Sequence, residues 1–186
     1  MSKLKSLLTP LVILEVIAII LGILYTVLYI KGVKSCIVFG IIGSVIYTFL
    51  CFKKQIFAET FLQFMYVLLG FFLWYNWDNK NGLSISQNQH YLLIGTTILV
   101  TFITGYLLKK YTTSKAPYFD SFTTVFSITG TILMVGFVHQ TWLYFIVADI
   151  VAIYLYYSQG LKLSVILYAF YLYLSIFAWY KWDLFF

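Results

Sequence analysis

Polar residues along this chain come in clusters, and between clusters of Lys, Gly, Pro and Asn lie seven apolar runs of 16 to 22 residues. They are Leu11 to Ile30, Lys34 to Phe52, Ile56 to Trp77, His90 to Leu108, Pro117 to Val138, Trp142 to Tyr157 and Leu161 to Trp182. A bilayer's hydrocarbon core takes roughly 20 residues of helix, with a range of about 17 to 25, so each run predicts one transmembrane helix. Lipid offers the backbone no hydrogen-bond partner, which leaves the helix as the fold of each run. The first run continues past Tyr25 without a small-residue cleavage site, so it reads as a span and not as a removed signal peptide.

Two polar stretches, Asp78 to Gln89 and Lys109 to Lys115, isolate the fourth span and divide the chain into three helices, one helix and three helices. The predicted organisation is a first three-helix repeat over 11–77, a linking transmembrane helix over 90–108 and a second three-helix repeat over 117–182. Shifting the chain by 105 positions lays QIFAETFLQFMYVLLGFFLWYNW on GLKLSVILYAFYLYLSIFAWYKW, with seven of 23 positions identical. These are Leu62/Leu167, Tyr66/Tyr171, Leu69/Leu174, Phe72/Phe177, Trp74/Trp179, Tyr75/Tyr180 and Trp77/Trp182. Shared greasiness does not explain two WYxW endings in a chain with five Trp. The same shift pairs Glu15 with Asp120 and Gly22 with Ser127. Corresponding helices lie four spans apart, an even number, so the repeats are expected to be parallel, as in one common transporter architecture.

Composition agrees, since a chain that is 62% hydrophobic and 10% charged cannot fold as a soluble domain without exposing far too much apolar surface. Aromatic residues, at 22%, suit interfacial belts and an aromatic-lined path. Arg is absent, and Lys3, Lys5, Lys53, Lys54, Lys109, Lys110, Lys115 and Lys162 fall on one side against Lys31, Lys34, Lys80 and Lys181 on the other. The positive-inside rule then puts the N-terminus in the cytoplasm and the C-terminus outside. Lysines at helix ends account for the net charge of +6 with no nucleic-acid partner. Cys36 and Cys51 have no CxxC spacing and no His neighbour, so they read as packing residues and no metal or cofactor is expected.

Ionisable groups inside spans are costly and mark sites by default. Asp149 lies near the centre of WLYFIVADIVAIYLYY, with no charged residue within ten positions, whereas Glu15, Glu59 and Asp120 sit in first turns where they also complement the helix dipole. The spacing i, i+4, i+7 gathers Glu59, Gln63, Tyr66, Gly70, Trp74 and Trp77 on one face, and Ser164, Tyr168, Tyr171, Ser175, Trp179 and Trp182 on its repeat mate. The candidate solute contacts are Gln63, Tyr66, Trp74, Trp77, Tyr168, Trp179, Asp149, Glu15 and Asp120. A central carboxylate with amide, phenol and indole groups suits a small planar or cyclic solute, a cation included. The alternatives are a structural hydrogen bond for Asp149 and an interfacial belt role for the Trp residues. An enzyme is not expected: no HExxH or GxSxG motif occurs, and His90 and His139 fall at span ends away from Asp149. A retinal protein needs a lysine in the middle of its last span, but Lys162 and Lys181 sit at the two ends.

The segment FGIIGSVIYTFLCFKKQIFAETFLQFMYVLLGFFLWYNW resembles the PnuC family of vitamin transporters. PYFDSFTTVFSITGTILM, followed by WLYFIVADIVAIYLYYSQGLKLSVILYAFYLYLSIFAWYKW, resembles that family's second half, so the likeness runs from Glu15 to Trp182. It rests on Phe39 to Ile42, Gln63, Trp74 to Trp77, Pro117 to Asp120, Ser127, Trp142, Asp149 and Gly160-Leu161. The resemblance implies a SWEET-like three-plus-one-plus-three fold and facilitated diffusion of a vitamin precursor that a cytoplasmic kinase then traps. Nicotinamide riboside is the first expectation, with thiamine and riboflavin open, since nicotinamide riboside members often carry Asn where this chain has Gly43 and Asp149. The expected setting is a bacterial inner membrane, with the vitamin and the lipid bilayer as partners and a homo-oligomer left open. A non-transporting binding or scaffold subunit is the competing class.

Overall fold

The computed structural model describes residues 10–53, 57–78, 85–112, 114, 116–158 and 162–185, with the side chains of 12, 57–59, 162–164 and 182–185 outside the description. Glu59, Ser164, Trp182 and several of the counted lysines (Lys3, Lys5, Lys54, Lys80, Lys115 and Lys162) therefore lie outside the described side chains. Among the described residues there are seven helices and no strand: α1 Pro10–Ile30, α2 Cys36–Lys53, α3 Phe57–Asn76, α4 Gln87–Tyr111, α5 Pro117–Val135, α6 Thr141–Ser158 and α7 Lys162–Phe185. Five of them (α1, α2, α4, α5 and α6) are long and apolar enough to cross a membrane. The shorter apolar stretches Thr60–Asn76 and Val165–Lys181 belong to α3 and α7, whose full 20 and 24 residues reach roughly 30 and 36 Å at about 1.5 Å per residue.

Among the boundaries that differ from the sequence reading, two have a clear local reason. Helix α4 begins three residues before His90 because Ser86 caps it: its hydroxyl accepts from the Gln89 backbone N–H, and the Gln89 side chain accepts from the Ser86 N–H. The polar Gln87-Asn88-Gln89 stretch is thus a first helical turn. Helix α5 stops at Val135, three residues short of Val138, because Phe137 adopts φ 52° and reverses the chain.

The described chain forms two compact units, one within Met1–Asn79 holding α1 to α3 and one within Lys80–Leu184 holding α4 to α7. Their internal geometry repeats with the 105 offset. Helices α1 and α5 end at 30 and 135, α2 and α6 run 36–53 and 141–158, and α3 and α7 start at 57 and 162. In the first unit the Gly32 N–H donates to the Tyr29 carbonyl and the Val33 N–H to the Leu28 carbonyl, with Gly32 at φ 68°. In the second, Phe137 donates to Met134 and Val138 to Leu133. Both are the Schellman ending that caps a helix through a left-handed residue. Glycine takes that conformation at no steric cost; a phenylalanine there is an outlier held by its surroundings.

The crossing of the first two helices of each unit is also shared, with the partners exchanged. A Cβ on Gly40 of α2 would lie 2.8 Å from the Tyr25 ring of α1, whereas a Cβ on Gly130 of α5 would lie 3.3 Å from the Phe145 ring of α6. Positions 25 and 130, and 40 and 145, are 105 apart, so each crossing stacks one ring on one glycine from opposite helices. Small residues of this kind let lipid-embedded backbones approach closely, where no water drives them together. Helix α4 packs on α5 in the same way, through Thr97, Thr101 and Gly105 spaced four apart. Ser121 donates to the Thr101 carbonyl at 2.7 Å, and Gly105 leaves room for the Tyr118 ring. Phe126, Leu133, Val138, Tyr144 and Ala148 make an apolar core of this unit.

Candidate functional site

Asp149 lies midway along α6 and keeps 7% of its surface exposed. Its neighbours on α6 are apolar, so what reaches it comes from another helix. The Ser175 hydroxyl of α7, itself buried, donates to Asp149 Oδ2 at 3.4 Å. A carboxylate has about four acceptor sites, and among the described residues Ser175 fills one. Tyr171, one turn before Ser175, stands within electrostatic reach of the carboxylate. Tyr168 stacks on Tyr156 with centroids 5.0 Å apart and meets Tyr171 edge-on at 6.2 Å. Tyr168, Tyr171 and Ser175, expected on one face from their spacing, therefore line a continuous aromatic and polar stripe beside Asp149.

Trp179 continues that stripe to the end of the unit, where the His139 ring stacks on its indole at 4.1 Å and 19°. His139 Nε2 lies 2.9 Å from the Trp179 carbonyl; a carbonyl only accepts, so the bond requires the proton on Nε2. In the first unit Trp74, 44% exposed, has the Lys34 ammonium 4.9 Å over its ring, and Lys34 also pairs with Asp78. Trp77 is buried and meets Tyr29 edge-on at 5.8 Å, Tyr29 sits 6.0 Å from Tyr25, and Tyr66 is within electrostatic reach of Tyr25. Gln63 is half-buried on α3.

Of the acids expected in first turns, Asp120 lies in the first turn of α5, whereas the first turn of α1, which begins at Pro10, holds no acid and Glu15 falls beyond it. Asp120 accepts from the Ser114 hydroxyl in the turn that leads into α5, a contact of the interfacial kind. Glu15 is half-buried on α1. Trp74 also lines an apolar groove with Val38, Ile41, Ile42 and Phe71, and a second apolar groove runs over Phe102, Tyr118, Phe119 and Phe122; neither contains Asp149. Among the described residues no three His, Cys, Asp or Glu side chains converge as metal ligands. The Asp149 group can accept hydrogen bonds and hold a positive charge, and tyrosine and indole faces can stack on a flat ring. Sequence reasoning passed over Lys34, His139, Tyr25, Tyr29 and Tyr156. The available signal was the offset itself, since 34 and 139 are 105 apart, but Lys and His share no identity.

The model of the nicotinamide mononucleotide transporter family matches residues 12–184. The chain belongs to that family. Family membership makes it a membrane transporter and not an enzyme, in keeping with the apolar helices of the described chain. The crystal structure of the vitamin B3 transporter PnuC is similar, with a TM-score of 0.75 at 24% identity over 91% of this chain and 80% of that one, a likeness of fold. No curated protein matches.

Proposed function

We propose that this chain carries nicotinamide riboside across the bilayer by facilitated diffusion, with Asp149 facing the positive charge of the pyridinium ring. The single observation that carries the reading is a mid-helix carboxylate with one hydroxyl donor, in a chain of the nicotinamide mononucleotide transporter family. That the similar PnuC structure is a vitamin B3 transporter supports the same ring. The phosphate-free nucleoside is favoured over the mononucleotide by charge. The chain has no Arg, and its described lysines stand at or beyond helix ends, so a phosphate beside Asp149 would face a carboxylate, while the Lys34 ammonium on Trp74 is already paired with Asp78. Tyr168 and Trp179 are the proposed ring and edge contacts of the second unit, and Gln63, Tyr66, Trp74 and Trp77 those of the first; Glu15 and Asp120 are proposed as further polar contacts of their own units. The repeated turns and helix ends, 105 positions apart, support the reading of two three-helix repeats with one linking helix between them. The proposed setting is a bacterial inner membrane, and the lysine asymmetry supports a cytoplasmic N-terminus there.

Thiamine, also a permanent cation, is the second reading, favoured by Asp149 at a position where nicotinamide riboside members of the resembled family often carry Asn. Calorimetric titration of the purified chain with nicotinamide riboside, nicotinamide mononucleotide, thiamine and riboflavin decides. The riboside should bind most tightly and the mononucleotide roughly tenfold or more weakly, since its phosphate adds negative charge near the Asp149 carboxylate. Tightest binding of thiamine moves the substrate to the second reading, and tightest binding of the mononucleotide overturns the charge argument.

A further inference from the structure

Each unit lays one of its own basic side chains on the Trp that the repeat preserves. Lys34 lies 4.9 Å over Trp74, and 105 positions on, His139 stacks on Trp179 at 4.1 Å. Both basic residues follow the left-handed residue of the interhelix turn by two positions, Gly32 in one unit and Phe137 in the other. The contact repeats while the residue changes, so it is the covering of the indole face that the two units have in common. Neither cover is fully buried: Trp74 is 44% exposed, the Lys34 and Asp78 side chains are 30% and 76% exposed, and His139 and Trp179 are half-buried. Exposed ion pairs are weak and displaceable. Asp78 leaves a displaced Lys34 still neutralised, and the Trp179 carbonyl gives His139 its own tether.

Resting on the transport reading above, we infer that Lys34 and His139 are specificity-determining gate residues, internal occupants of the Trp faces that an arriving flat cation has to displace. An ammonium and a pyridinium cannot share one indole face, so Lys34 competes by charge as well as by space. His139, a flat ring, competes by shape.

The test is binding of nicotinamide riboside, and of its neutral dihydro form, to the purified full chain and to Lys34→Met and Lys34→Arg. Removing the internal cation should tighten riboside binding about two- to fivefold, the span of an exposed cation–π contact, whereas Lys34→Arg, which keeps a cation on the ring, should not tighten it. Unchanged or weaker binding by a folded Lys34→Met chain overturns the inference. A readout on the unaltered protein stands beside it: 13C-dimethylated Lys34, assigned by its loss in Lys34→Arg, should lose its indole ring-current shift when riboside saturates the site. A signal that stays shifted at saturation overturns the inference as well. Absence of riboside binding to the unaltered chain sinks the transport reading and this inference together; binding that ignores Lys34 sinks the inference alone.

Discussion

Replacing Asp149 with Asn changes charge and little else. The side chain keeps its size, and its remaining oxygen can still accept from Ser175, whose hydroxyl stands 3.4 Å from the native carboxylate. For a solute cation about 5 to 7 Å from the carboxylate, at an effective dielectric of about 20, the lost attraction is about 2 to 3 kcal/mol. That converts to about 30- to 140-fold in Kd. The neutral dihydro form of the same nucleoside has no such attraction to lose and should bind Asp149→Asn within about twofold of the unaltered chain. Stability should move the other way. A charged aspartate at the bilayer centre costs about 2.5 to 3.5 kcal/mol on insertion scales, so the neutral amide should hold or raise Tm in detergent or nanodiscs. Ser175→Ala, which deletes one long hydrogen bond, should cost only about 0.5 to 1.5 kcal/mol. Titration calorimetry with the cationic and neutral solutes, beside thermal unfolding of each variant, reads all three effects. Asp149→Asn and Asp149→Ala chains that both bind the cation with unchanged affinity would refute the charge contact and leave Asp149 as a helix-packing group.

Two further outcomes follow from the architecture. Gly40→Ala should lower Tm more than Gly130→Ala, because its Cβ would meet the Tyr25 ring at 2.8 Å rather than the Phe145 ring at 3.3 Å, and Tyr25→Leu should restore part of the loss; equal effects, read by thermal unfolding, would show the crossing to be loosely packed. A cysteine appended after Phe186, in a chain with Cys36 and Cys51 replaced by Ala, should react with an impermeant maleimide from the outside of intact cells, and labelling from the cytoplasmic side alone would invert the topology.

The spans were legible because lipid allows one backbone solution and the polar clusters are abrupt. Six of the seven predicted starts lie within two residues of the observed helices, and the exception, α4, is the one whose polar first turn is closed by Ser86 and Gln89. The end of α5 was hidden because the left-handed position that glycine announces at Gly32 is filled by phenylalanine at Phe137. The 105-residue offset was legible in the third helices, where WYxW recurs, and left only the pairs Glu15/Asp120 and Gly22/Ser127 in the first helices. There the ring and the glycine change helices, Tyr25 over Gly40 against Phe145 over Gly130, so that packing is kept while identity vanishes. The same blindness concealed Lys34 and His139, equivalent in position and contact but different in residue. Asp149 stood out as a lone mid-span charge; its partner Ser175 was placed on the inward face by spacing alone, and only coordinates could join the two.

The central claim, that this family member moves a cationic pyridine nucleoside by itself, is tested most directly by reconstituting the purified chain in liposomes and following radiolabelled nicotinamide riboside. Uptake should be saturable, stop when inside and outside concentrations are equal, proceed without nucleotide or ion gradient, and fall strongly in Asp149→Ala. Uptake no greater than in protein-free liposomes, from a chain that still binds the riboside, would contradict it and make the protein a binding subunit.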